Sequence, residues 1–313
     1  MANEIYSSSW WGVGPCNDVG WGIVYKQYAN CGVVPGIIAD FTARVIADGG
    51  TVESEACLDV PLTFLTDNPI PSAFDADYQA VLDYSTTQGY TAPSASQQTI
   101  QNTLVTDLKA AGVWSKLDAL YIMATDGDSD FATLNWKAPS SFQTTKVSSP
   151  TFITNEGFEG NGSSSTLDTG INMGVDTTQF NQSTLNGSFG GWSYNTKAAG
   201  GPALMGDKSD INQLRGGSAD SIFGYRAGSG LLISGLYHMN GDGTNSVQYQ
   251  NGIQKISAAL GSRPTTTNTM HLLSEGGADS FSGDTISIFF IGGDLSAEAS
   301  DVYNAFNTYM TAI

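Results

Sequence analysis

The chain has 313 residues, and its 12 Lys and Arg stand against 30 Asp and Glu, a net charge of −18. So few cations exclude a nucleic-acid binder, because phosphate contacts need clustered Lys and Arg. With 40% hydrophobic and 11% aromatic residues the chain is not disordered, and its 13% charged residues and 37 glycines describe a globular surface of hydroxyls and amides, as on particle-exposed β proteins.

Residues 1–60 open with Ser7-Ser8-Ser9-Trp10-Trp11-Gly12 and run through Gly20-Trp21-Gly22 to Tyr25 and Tyr28. Neither helix nor strand period fits these aromatics. Trp10, Trp11, Trp21, Tyr25 and Tyr28 read as an anchoring segment, large rings with no periodic core to receive them. A competing reading folds them as a small domain against a helix after Pro35-Gly36, where Ile37, Ile38, Phe41, Val45 and Ile46 share a face and Gly49-Gly50 end it.

Residues 61–139 read as a helical linker domain. Ser72-Ala73-Phe74-Asp75 has the form of a capping box before the stripe Phe74, Tyr78, Val81 and Leu82, and Gly89 supplies the stop. Ser94-Ala95-Ser96-Gln97 opens a second helix with Ile100, Leu104, Leu108 and Ala111 on one face and Gly112 at its end.

Residues 140–313 read as an antiparallel β-sandwich closed by a C-terminal helix, which makes the whole chain α+β. Asn251-Gly252 lies between Val247–Gln250 and Ile253–Ile256, a strong hairpin signal. Further strands are expected over 187–196, 219–227, 230–239, 269–275 and 284–291, the last with Ile286, Ile288 and Phe290 pointing inward together. Leu295, Ala299, Val302, Phe306, Tyr309 and Ile313 then form the stripe of an amphipathic helix.

Catalytic patterns are incomplete. His238 and His271, the two histidines, fall in strand-like runs where an imidazole serves as a structural hydrogen-bonder, and no G-x-S-x-G elbow occurs. Gly201-Pro202-Ala203-Leu204-Met205-Gly206 has phosphate-loop glycines, but Asp207 stands where Lys is needed. Glu156 and Glu159, three residues apart, do not share a strand face as a glycosidase pair would.

Asp126-Gly127-Asp128-Ser129-Asp130 sets carboxylates at alternate positions, like the start of a calcium loop, yet Phe131 replaces the turn glycine and Lys137 the bidentate glutamate. Two readings stay open, an Asx-rich turn and a Ca²⁺ site at Asp126, Asp128 and Asp130; no other cofactor is expected. Cys16, Cys31 and Cys57, an odd set without C-x-x-C, read as free thiols. Met1-Ala2-Asn3-Glu4 has no basic-then-apolar opening, so synthesis without a secretory leader is expected. No apolar run approaches the ~18–20 residues of a membrane span, so no membrane insertion is expected.

Phe158-Glu159-Gly160-Asn161-Gly162-Ser163-Ser164-Ser165-Thr166-Leu167-Asp168-Thr169-Gly170 resembles the opening of a concanavalin-A-like, laminin-G-like jelly roll known from virion proteins of tailed bacteriophages. Gly235-Leu236-Tyr237-His238, Tyr249-Gln250-Asn251-Gly252 and Ile291-Gly292-Gly293-Asp294-Leu295-Ser296 continue the resemblance. So do Gly89-Tyr90-Thr91-Ala92-Pro93-Ser94 and Thr125–Phe131 in the segment that commonly precedes this sandwich. The resemblance implies a jelly roll in a virion structural protein: a capsid decoration, head fibre, collar or tail component. Such a protein is made in the host cytoplasm and exposed on the particle. Its partners would be other virion subunits and copies of itself, with a host surface glycan as a further candidate. The family's glycosidases carry two Glu flanking an Asp at short spacing on one strand, and this sequence lacks that signature, so no enzyme is expected. The alternative is a lectin or glycoside hydrolase of the concanavalin-A-like superfamily, contacting sugar through Trp192, Tyr194, Tyr225 and Tyr237.

Overall fold

The computed structural model describes residues 74–195, 203–207, 212–215, 220–222, 225–228, 234–260 and 267–313. Helix α1 (Ala76–Gln88) is capped by Asp75 rather than Ser72: the Asp75 side chain accepts the Asp77 N–H at 2.9 Å. Gly89 ends it at φ 76°, its N–H turned back to the Ser85 and Thr86 carbonyls. Helix α2 (Ala95–Ala110) opens as expected at Ser94, whose hydroxyl accepts the Gln97 N–H at 3.3 Å.

Strand β1 (Leu117–Ile122) follows, inside the region expected to be helical. Its sequence, Leu-Asp-Ala-Leu-Tyr-Ile, is almost continuously apolar because both its faces are covered, so no alternation betrays it. Next come β2 (Thr145–Val147), β3 (Thr151–Ile153), β4 (Gly157–Glu159), β5 (Thr166–Asn172), β6 (Asn186–Asn195) and β7 (Ala203–Gly206). Strands β8 (Gln213–Arg215), β9 (Asp220–Ile222), β10 (Tyr225–Gly228), β11 (Gly235–Asp242) and β12 (Asn245–Gln250) continue the chain. Strands β13 (Ile253–Ala259), β14 (Thr269–Leu272) and β15 (Thr285–Gly292) and helix α3 (Ala299–Ala312) complete it.

The first sheet has the order β13-β12-β11-β6-β15-β4-β3, with β1 also pairing to β15, and the second runs β10-β9-β8-β7-β14-β5-β2. Every pairing is antiparallel. The expected hairpin is present between β12 and β13, with Asn251 at φ 51° and Gly252 at φ 74°. The strand expected over 219–227 is two, β9 and β10, and that expected over 230–239 begins at Gly235 and reaches Asp242.

One core lies between the sheets, built from residues such as Leu167, Met205 and Leu272 on one side and Phe189, Tyr237 and Phe289 on the other. A second lies on the far face of the first sheet, where Leu120, Trp192, Leu236, Ile288 and Phe290 meet Tyr78, Leu104, Leu108, Val302 and Phe306 of the helices. The central strands of the first sheet are therefore buried twice. A bulge in β15 between Ile286 and Ile288 divides the residues expected to point inward together. Ile286 faces the second sheet with Phe289 and Ile291, while Ile288 and Phe290 face the helices.

Phe74–Ile313 is one unit, and the pairing of β1 with β15 crosses the boundary expected at 139/140. The architecture is α+β: an antiparallel β-sandwich with a C-terminal helix on its first sheet.

Candidate functional site

The acidic loop 126–130 sits where the chain leaves β1. Asp128 Oδ2 accepts the Thr91 N–H at 2.6 Å, and its Oδ1 accepts the N–H groups of Phe131 at 2.8 Å and Asp130 at 3.1 Å. The Asp128 N–H returns a bond to the Thr91 carbonyl at 3.0 Å. Burial opposes its charge, but the hydrogen bonds from Phe131, Thr91 and Asp130 hold the Asp128 carboxyl below the usual carboxylate value. Asp126 accepts the Ser94 N–H at 2.9 Å, and Asp130 is paired to Lys146 at 2.6 Å. The three carboxylates thus serve three different partners rather than converging. Among the described residues no three His, Cys, Asp or Glu side chains are placed to hold a metal ion. The calcium reading of Asp126, Asp128 and Asp130 gives way to an Asx turn that splices this loop to the α1–α2 connection.

Behind the loop lies a buried polar network that sequence reasoning missed. Gln97 Oε1 accepts the Asp126 N–H and the Thr125 hydroxyl, and Gln97 Nε2 donates to Asn155 Oδ1 at 2.8 Å. Gln101 Oε1 accepts the Tyr78 hydroxyl at 2.7 Å, and its Nε2 donates to Thr125 and Tyr309 hydroxyl oxygens, both at 3.2 Å. Tyr309 in turn donates to the Ala124 carbonyl. Three helices, the β1 exit and the β3–β4 turn are tied in one knot. A glutamine in mid-helix reads as solvent-facing, and only its offset onto the apolar stripe of α2 could have signalled otherwise.

The aromatic candidates do not assemble into one surface. Trp10, Trp11, Trp21, Tyr25 and Tyr28 lie outside the described residues. Trp192 is buried beneath α3, its ring parallel to that of Tyr303 at 6.2 Å between centroids. Tyr237 is buried between the sheets, its hydroxyl accepting Gln250 Nε2 at 2.7 Å. Successive strand positions face opposite ways; Trp192 stands opposite Leu236, the residue before Tyr237, so these two rings point to opposite faces of the first sheet. Neither reaches a sugar. Tyr194 is exposed, and of Tyr225 only the backbone, in β10, is described.

The two histidines differ sharply. His271 stands opposite Asp168 across the β14–β5 pair, Nε2 to Oδ1 at 3.6 Å, with Thr269 Oγ1 at 3.2 Å from Nε2. Thr166 Oγ1 lies 3.5 Å from its Nδ1 and 2.6 Å from the Ser274 hydroxyl. Burial pushes the His271 pKa down, against the pull of Asp168. Thr166 and Ser274 are both buried, so the arrangement is a cross-strand clasp with no accessible nucleophile. His238 departs from the expected role as hydrogen-bonder: it is fully buried, and neither ring nitrogen has a partner among the described residues. Its neighbours are rings, Tyr249 stacked at 4.7 Å and Phe290 edge-on at 5.9 Å. Burial pushes its pKa down to about 3, although Asp294 acts to raise it. Glu156 lies in the β3–β4 turn and Glu159 ends β4 opposite Thr285.

These features define a twice-cored β-sandwich with a helical cap. No protein-family model and no curated protein matches the chain. Among solved structures, a mutant Trypanosoma rangeli sialidase displaying trans-sialidase activity aligns at 11% identity and a TM-score of 0.43, over 68% of this chain and 39% of that one. The receptor-binding domain of botulinum neurotoxin C/D mosaic serotype aligns at 12% identity and a TM-score of 0.41, over 61% of this chain and 52% of that one. The binding domain of botulinum neurotoxin serotype D gives 12% and 0.38, over 62% and 52%. The chain spans well under two thirds of each of these proteins.

Proposed function

We propose that the chain is a structural protein of a tailed-bacteriophage virion, a decoration, head fibre, collar or tail component that displays its sandwich on the particle and performs no catalysis. The observation that carries this reading is that the segments bearing the virion-protein resemblance are bonded to one another. Gly89–Ser94 grips Thr125–Phe131 through Thr91–Asp128 and Ser94–Asp126. Gly235–His238 grips Tyr249–Gly252, with the Asn251 N–H donating to the Leu236 carbonyl at 2.8 Å and Asn251 Oδ1 accepting the Leu236 N–H at 2.9 Å. Two pairs of the segments that carry the resemblance are thus joined directly.

In this reading residues 1–35, with Trp10, Trp11, Trp21, Tyr25 and Tyr28, dock the protein onto another virion subunit or onto copies of itself. The test is mass spectrometry of density-purified particles of the phage that encodes the chain. The protein is expected at a fixed ratio to the major capsid protein, and a deletion of residues 1–35 is expected to remain soluble and be lost from particles. Its absence from intact particles overturns the reading.

A further inference from the structure

Helix α3 covers the first sheet along its length, with Tyr303 over Trp192 and Val302 in the second core, and two of its contacts flank His238. Ala299, in its first turn, is buried with Val247 and Tyr249, and Phe306, two turns on, packs on Phe290 at 5.9 Å between ring centroids. His238 lies between those supports, stacked on Tyr249 at one side and edge-on to Phe290 at the other. The strand opposite contributes Gly190, where even a Cβ would meet the His238 side chain at 2.3 Å. The imidazole therefore sits in a sleeve of rings and backbone, with neither nitrogen bonded among the described residues.

A neutral ring tolerates this sleeve, and an imidazolium, with two N–H donors and a charge, does not. Few groups nearby could compensate. Asp294 after β15 is the charge that acts on His238, but its Oδ1 already accepts Asn240 Nδ2 at 2.7 Å and the Ser296 N–H and hydroxyl. The Tyr249 hydroxyl is itself held neutral by burial, with Asp294 and Asp242 adding to the effect. Glu298, at the head of α3, is paired to Lys116 at 2.7 Å. His271 belongs to the other sheet.

We propose that His238 is an acid trigger for α3: protonation of its ring drives the helix off the first sheet and uncovers the apolar surface beneath. The helix is suited to move. Its first turn has no side-chain cap, lifting it breaks no strand pairing, and the side-chain hydrogen bonds it would release are those of Tyr309 with Gln101 and the Ala124 carbonyl. The ring would then hydrate and gain the proton it cannot hold when covered. The sign follows directly. With the covered ring at about 3 and a hydrated histidine near 6.5, the uncovered state binds the extra proton between those values and is favoured as pH falls. Between pH 7.5 and 4.5 the open-to-closed ratio should rise on the order of a hundredfold.

Hydrogen–deuterium exchange on the full chain, corrected for intrinsic pH dependence, tests this. Amides of 302–312 should lose protection by that factor between pH 7.5 and 4.5 while 286–291 stay protected, and His238→Leu should abolish the loss. Protection unchanged with pH, a loss shared equally by 286–291, or a loss persisting in folded His238→Leu each overturns the proposal. Should that variant fail to fold, ring-nitrogen NMR of the unaltered protein decides: a His238 that becomes protonated near pH 6.5 with α3 still protected overturns it, and one that stays neutral until α3 opens supports it.

Discussion

Gly190 fixes how closely β6 and β11 run at the centre of the first sheet. A Cβ there would stand 2.3 Å from the Tyr237 carbonyl oxygen and 2.7 Å from His238 Cα, and backbone cannot step aside as a flexible side chain can. Gly190→Ala should cost about 3 kcal/mol, read from urea denaturation. Gly89→Ala is the contrast: φ is 76° but nothing lies within 4 Å, so only the left-handed strain of about 1 kcal/mol is expected. Gln101 belongs to the same scale. Replacing it with Ala leaves buried hydroxyls of Tyr78 and Tyr309 short of partners, and a loss of about 3 kcal/mol in the same assay is expected. Neither Gly190 nor Gln101 was legible in the sequence. Glycines in a Gly-rich strand look alike until the neighbour is known, and a buried glutamine has the same letter as an exposed one.

Among elements, those whose determinants are local were legible: Ser94 and Gly89 at helix ends, the Asn251-Gly252 turn, and the stripe of α3. Those set by distant partners were not. Ile286, Ile288 and Phe290 alternate perfectly in sequence, and only the bulge at Ser287, whose hydroxyl donates to the Glu156 carbonyl at 2.6 Å, sends them to different cores. The Asp126–Asp130 loop was half legible, its turn chemistry clear from composition but its hydrogen-bonding targets at Thr91 and Ser94 more than thirty residues away. Asp128 also gives this splice a pH signature. Its folded pKa lies below 3.8, so the stabilisation is complete above roughly pH 4 and is lost as pH falls through the folded value. Thermal melts should therefore place Asp128→Ala below the unaltered protein at pH 7, with the gap closing below pH 3.8.

For the whole molecule, the sandwich was foreseen but its dependence on the preceding residues was not. The second core draws Tyr78, Leu104 and Leu108 from the helices and Trp192, Leu236, Ile288 and Phe290 from the sheet. A fragment of residues 140–313 would keep α3 but strip the second core of its α1, α2 and β1 residues and leave β1's place beside β15 empty. It should aggregate on expression, whereas residues 74–313 should unfold in one cooperative thermal transition. A soluble, cooperatively melting 140–313 fragment would refute this. The sequence also left the function open between display and sugar binding, because a sandwich hosts either; the burial of Trp192 and Tyr237 removes two of the four sugar contacts that the second option relied on.

The partnership of β1 with β15 has a consequence in time. Residue 122 leaves the ribosome 163 residues before residue 285, the first of the strand it pairs with, a delay of roughly ten to thirty seconds at ordinary synthesis rates. Throughout that interval β1 carries its apolar residues without the β15 edge it is built to join. The nascent chain must wait in a loosely held form, and its survival during translation becomes a matter of chaperone supply as much as of final stability.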